Sequence, residues 1–156
     1  MITSLRAPLL ALVVVGGLAG GALASPAVGF HPKLLSRATL SAPVHHNAGA
    51  VKLRTKGSVD ITHQRLRIDP RGSSGWHTHR GVVLVTVKSG SLVRYNADCT
   101  RQVFPAGSAF TESGRHVGLV RNESASTPAV TYLTYITPVG APLRDEARDP
   151  RCASVD

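Results

Sequence analysis

The stretch Gly75–Gly90 reads GWHTHRGVVLVTVKSG, and its second half decides the fold. Val82, Val83, Val85 and Val87, with Thr86, are β-branched residues that pack well on a pleated surface and lose rotamer freedom in a helix. GVVLVTV is therefore read as a buried strand. KSG is a tight turn, and SLVRYN is the returning strand of a hairpin. Just upstream stand His77 and His79. On a strand, residues two apart face the same way. The two imidazoles are thus presented side by side, about 6.6 Å apart along the backbone. That separation suits two ligands converging on one metal ion, and it equally suits two polar residues lining a pocket.

Outward from this hairpin the texture stays the same. VDITHQRLRID (Val59–Asp69) carries β-branched residues at spacing two, and DPRGSSG after it is turn chemistry. Downstream, NADCTR reads as a loop, RQVF as a strand and PAG as a turn. SAFTE, HVGLVRN and AVTYLTYIT supply three more strands. Nothing between Val51 and Thr137 repeats with a helical period. Seven or eight short strands in about a hundred residues, with no crossover helices, predict an antiparallel sandwich or small barrel and exclude an α/β arrangement. Residues 51–138 are taken as this barrel, one domain without internal repeats. Residues 25–50 read as an extended, partly disordered arm with one short strand at Ala38–Leu40. Residues 139–156, GAPLRDEARDPRCASVD after Val139, read as a polar tail.

The first 24 residues hold one charged side chain, Arg6, then the apolar run PLLALVVVGGLAGGALA ending in Ala22-Leu23-Ala24. A short positive region, a short apolar stretch and small residues before a break predict a signal peptide; the alternative is a retained anchor. An exported chain works in a secreted, periplasmic or cell-envelope setting. There, the only two cysteines, Cys99 and Cys152, are most simply one disulfide tethering the tail. The chain has 18 Lys and Arg against 9 Asp and Glu, a net charge of +9. Removing Arg6 with the leader leaves 17 − 9 = +8. The basic residues are scattered and aromatics are few, which excludes the usual nucleic-acid binders and fits attraction to anionic ligands or envelope polymers.

GWHTHRGVVLVTVKSG followed by YNADCTRQVFPAGSAFTESGRHVGLVRN resembles the cupin family. Gly75, His77, His79 and Gly90 match the first cupin motif, and Pro105-Ala106-Gly107 with Asn122 resembles the frame of the second. The resemblance covers about Val51 to Pro138. It implies a small antiparallel jelly-roll β-barrel with a metal site inside its mouth, built in the family from three histidines and one glutamate. Two positions depart from the pattern. Val83 stands where the family carries its glutamate, and Gly118 where it carries its last histidine. His116 lies two residues from Gly118, on the same face if that segment is a strand, and is the expected third ligand beside His77 and His79. Glu112 and His63 are further pocket candidates, with Glu112 placed near the rim.

Such a donor set favours zinc, iron, copper or nickel over magnesium, manganese or calcium, and its open positions attract anions. Trp76 is expected to pack under the barrel lip, and His45-His46 to be solvated. Asn122-Glu123-Ser124 fits a glycosylation sequon. No serine or cysteine nucleophile stands in a defensible motif. Two functional readings follow. One is a divalent-metal barrel that binds or transforms a small anionic molecule; as an enzyme, the resemblance implies oxygenase, decarboxylase or isomerase chemistry. The other is a non-catalytic module for a ligand or envelope polymer, its metal site incomplete. The resemblance is compatible with a homodimer, although no residue selects one, and no stable membrane span is expected after processing.

Overall fold

The computed structural model describes residues 25–153 and 155; the expected signal peptide lies outside them. All regular structure among these residues is strand. The elements are β1 (Val28–Leu40), β2 (His45–Ala48), β3 (Val51–Arg54), β4 (Val59–Ser73), β5 (His77–Thr78) and β6 (Val82–Ser89). They continue with β7 (Ser91–Asn96), β8 (Arg101–Pro105), β9 (Ala109–Ser113), β10 (Gly118–Arg121), β11 (Ala129–Pro138) and β12 (Asp145–Glu146).

Two antiparallel faces make the barrel. One runs β1-β4-β11-β6-β9, the other β8-β7-β10-β5-β12. The fifteen-residue β4 bends from one into the other, pairing β1 and β11 along its length and touching β10 at Ser73↔Arg121. Between the faces lies a core that includes Leu66, Ile68, Val83, Val85, Val87, Leu92, Phe110 and Leu133. Period two explains it: along β6, Val83, Val85 and Val87 are buried while Val82 and Leu84 are exposed. The strand read as buried therefore has one face outside, because no layer among the described residues covers the β11–β6–β9 sheet.

A second, smaller core lies outside the barrel. Trp76, Val93, Tyr95 and Leu119 pack with Cys152 of the tail. Trp76, expected under the lip, is nearly fully buried here. The disulfide joins Cys99 and Cys152, Cα atoms 5.4 Å apart, and so clamps the tail over this patch.

The N-terminal segment is more ordered in backbone than its composition suggests. The strand expected at Ala38–Leu40 runs from Val28 to Leu40 and pairs β4 over almost its whole length. Its ten residues from His31 to Leu40 are all exposed, so no hydrophobic alternation marks it. Backbone pairing holds it, reinforced at Asp60. The Asp60 carboxylate accepts bonds from Arg37 Nε (2.9 Å), Thr39 Oγ1 (2.6 Å) and the Gly140 N–H (3.0 Å). His45 and His46 begin an exposed two-stranded hairpin, β2–β3, apart from the barrel sheet. No helix among the described residues is long and apolar enough to cross a membrane.

Candidate metal centre

Gly75 turns the chain into β5 with φ +68°, and a side chain there would collide with the Ser25 carbonyl. That turn aims the Gly75 carbonyl at the next imidazole: His77 Nδ1 donates to it at 2.9 Å. His79 Nδ1 donates to the Leu143 carbonyl of the tail at 2.7 Å. Both histidines are buried, and their rings meet edge to face with centroids 4.9 Å apart. With each Nδ1–H committed to a backbone carbonyl, each Nε2 carries the lone pair and turns inward. This orientation by second partners is how proteins prepare imidazoles for a cation.

The third group is Glu112. Its Oε2 lies 3.2 Å from His79 Nε2 and 4.0 Å from His77 Nε2, and the carboxyl is buried. One donor atom from each residue falls within 4.8 Å of the others. Register explains how it arrives. Glu112 on β9 is the direct cross-strand partner of Val83 on β6, so both side chains stand on the same face, Cβ atoms about 5 Å apart. The carboxylate absent at position 83 is supplied by the residue beside it. Counting along the sequence had put Glu112 at the rim; pairing puts it in the interior.

The electrostatics agree with a charged carboxylate beside a neutral His77 ring. Burial pushes the His77 imidazole below its ordinary value, more than Glu112 raises it. For Glu112, burial pushes the carboxyl up. Its neighbours His79, His77 and Arg94 outweigh that, leaving it below its usual range. Tyr135, whose ring centroid is 5.9 Å from that of His79, is held well above its ordinary value by burial and by the charge of Glu112. It remains a neutral phenol, bonded to Gln64.

The other sequence candidates lie elsewhere. His116 is exposed in the turn between β9 and β10, because the strand begins only at Gly118. Spacing two fixes a shared face only within a strand, so the same-face argument does not reach it. His63 is on β4 but on its outer face, exposed and 3.0 Å from Thr134 Oγ1. Asn122 is fully buried, its amide donating to the carbonyls of Ile68, Asp69 and Thr127. It fastens a loop and, in the folded protein, is not accessible as a sequon.

A cavity of about 30 Å³ adjoins the cluster, lined by His77, His79, Glu112, Ser74, Tyr135 and Arg144 among others. Two arginines flank this region, and neither belongs to any motif. Arg94 Nη1 donates to the Thr111 carbonyl at 2.9 Å. Arg144 pairs with Glu146 and lies over the Phe30 ring. The Nε of each is buried without a partner among the described residues.

The three donor atoms fit a metal. In a tetrahedral site with bonds of about 2.1 Å, neighbouring ligand atoms lie about 3.4 Å apart, and the observed 3.2 and 4.0 Å bracket that value. Two imidazole nitrogens and one carboxylate oxygen form a donor set suited to iron(II) or zinc.

No family model and no curated protein sequence matches the chain. Solved structures do. Peruvianin-I, a cysteine peptidase from Thevetia peruviana latex, is 19% identical, with a TM-score of 0.51 over 77% of this chain and 68% of that one. A cupin-like protein from Thermotoga maritima is 13% identical, with a TM-score of 0.50 over 57% of this chain and 65% of that one. An RmlC-like cupin from Shewanella frigidimarina is 13% identical, TM-score 0.49, over 72% and 79%. At these identities the likeness is one of fold, and it agrees with the strand order: this chain folds as an antiparallel jelly-roll barrel.

Proposed function

We propose that this protein is an exported cupin-fold barrel in which His77, His79 and Glu112 bind one divalent transition metal, and that it binds or transforms a small anionic molecule at that centre. The observation that carries the reading is that the Nε2 atoms of two buried histidines converge on one buried carboxylate oxygen. Three electron-rich atoms this close repel one another unless a cation stands among them. A metal ion satisfies all three atoms together.

Zinc, iron, copper and nickel all accept this donor set. Bound there, such an ion would polarise an oxygen-bearing ligand in its remaining positions. The chain's own residues orient and insulate. Gly75 and Leu143 hold the imidazole rings through their carbonyls, and Glu112 supplies one negative charge. Val85, Leu92, Phe110 and Leu133 keep the cavity wall dry. Three features support export: the leader-like first 24 residues, the single disulfide and the mature charge of +8. The alternative is a binding module without catalysis, supported by the small cavity and the basic surface.

Cobalt(II) titration of untagged protein tests the metal reading. Wild type should develop intense visible absorption saturating at one equivalent, and His77→Ala should not. Equal spectra for the two proteins would refute the assignment.

A further inference from the structure

We propose that Arg94 holds a small carboxylate against the His77–His79–Glu112 centre, in the space that Gly118 leaves open beside it; this rests on the metal reading above. On β7 the side chains alternate. Val93 and Tyr95 pack under the tail, while Leu92 belongs to the barrel core. Arg94 shares the inward face with Leu92 and pairs across to Val120, itself a lining residue of the cavity. Its guanidinium crosses to the opposite sheet and is fixed at one corner, Nη1 on the Thr111 carbonyl. That carbonyl belongs to the residue before Glu112.

The anchored guanidinium leaves Nε buried and unpartnered. A Cβ built on Gly118 would lie 3.9 Å from Arg94 Nε and 3.9 Å from Glu112 Oε1. A side chain at 118 would thus point between the guanidinium and the carboxylate. Glycine leaves that direction open, and the backbone there pairs directly with His77. A fixed N–H donor therefore flanks one side of the gap, and the cluster of two nitrogens and one oxygen flanks the other.

A ligand filling this gap needs one acceptor for Arg94 Nε and a second for the cation. A carboxylate offers both from one planar group. Charge selects an anion as well. A divalent ion with Glu112 and Arg94 leaves the site positive, and Arg144, paired with Glu146, adds a second guanidinium on the cavity wall. The gap is small: a Cβ at 118 would already touch the Tyr95 carbonyl at 3.6 Å as well as Arg94 Nε and Glu112 Oε1 at 3.9 Å. The ligand class is accordingly the smallest carboxylates, or the carboxylate end of a molecule entering from the mouth.

Formate is the probe. Calorimetric titration into zinc-loaded wild type should show one site. Arg94→Gln should weaken formate about ten- to hundredfold, the effect of one charge-assisted hydrogen bond, with zinc affinity held within about threefold. Gly118→Val tests the gap from its other side and leaves the Arg94–Thr111 bond in place. It should lose formate and keep zinc. Formate binding unchanged in either variant that still binds zinc would overturn the role of Arg94. Wild type that takes up no zinc would overturn the metal reading, and this inference with it.

Discussion

At residue scale the candidate centre was half legible. His77 and His79 are legible by their spacing of two, although only His77 lies in β5 and His79 falls in the turn that follows it. Glu112 needed the register between β6 and β9, which no single-strand count contains. His116 lies between β9 and β10, in residues 114–117, where period two has no meaning. Arg94 belongs to no motif, and only its unpartnered Nε marks it. His116→Ala and His63→Ala should leave zinc affinity within about twofold of wild type by competition with a chromophoric chelator. Ser74 is a different matter. Its buried hydroxyl accepts from the Val120 N–H at 2.9 Å and donates to the Gly75 carbonyl at 2.8 Å. Ser74→Ala should destabilise by about 1–3 kcal/mol in urea melts, the cost of orphaning a buried N–H.

At the scale of elements, seven strands from Val59 to Pro138 were readable because β-branched runs alternate with glycine and proline turns. β1 was readable only at Ala38–Leu40, since its exposed residues carry no pattern and its order comes from pairing with β4. Asp60 couples that pairing to pH. Bonds from Thr39, Gly140 and Arg37, with the Arg37 charge, outweigh burial and lower its carboxyl to about 2. A carboxyl lower in the folded state than in the unfolded chain stabilises fully above the unfolded value of about 3.9. That contribution is lost as pH falls from there through about 2. Amide exchange in β1 should therefore accelerate over this window, relative to β6. In Asp60→Asn, β1 should exchange fast at every pH. Uniform protection of β1 in that variant would contradict the account.

For the whole molecule, the tail looked like polar punctuation, yet it completes the site. Leu143 orients His79, Arg144 lines the cavity, and Cys152 fastens the run to the outer patch around Trp76. The sequence held the cysteine pair but not its consequence. A bridge spanning 53 residues restricts the unfolded chain by about 4 kcal/mol on the chain-entropy model. Reduction should lower the urea midpoint while β6 and β11 remain paired, and should weaken metal binding because the Leu143 carbonyl is no longer held. Metal affinity unchanged on reduction would show that the tail does not orient His79.

The central claim is that two histidines and one glutamate, drawn from β5, its following turn and β9, hold a single cation. Elemental analysis of untagged protein after zinc loading and gel filtration tests it most directly. One equivalent of zinc should stay with wild type and with His116→Ala. Less than about 0.1 equivalent should stay with Glu112→Gln, since even outer-shell changes cost ten- to a hundredfold in affinity. Wild type that emerges empty, or Glu112→Gln that keeps a full equivalent, would contradict the account.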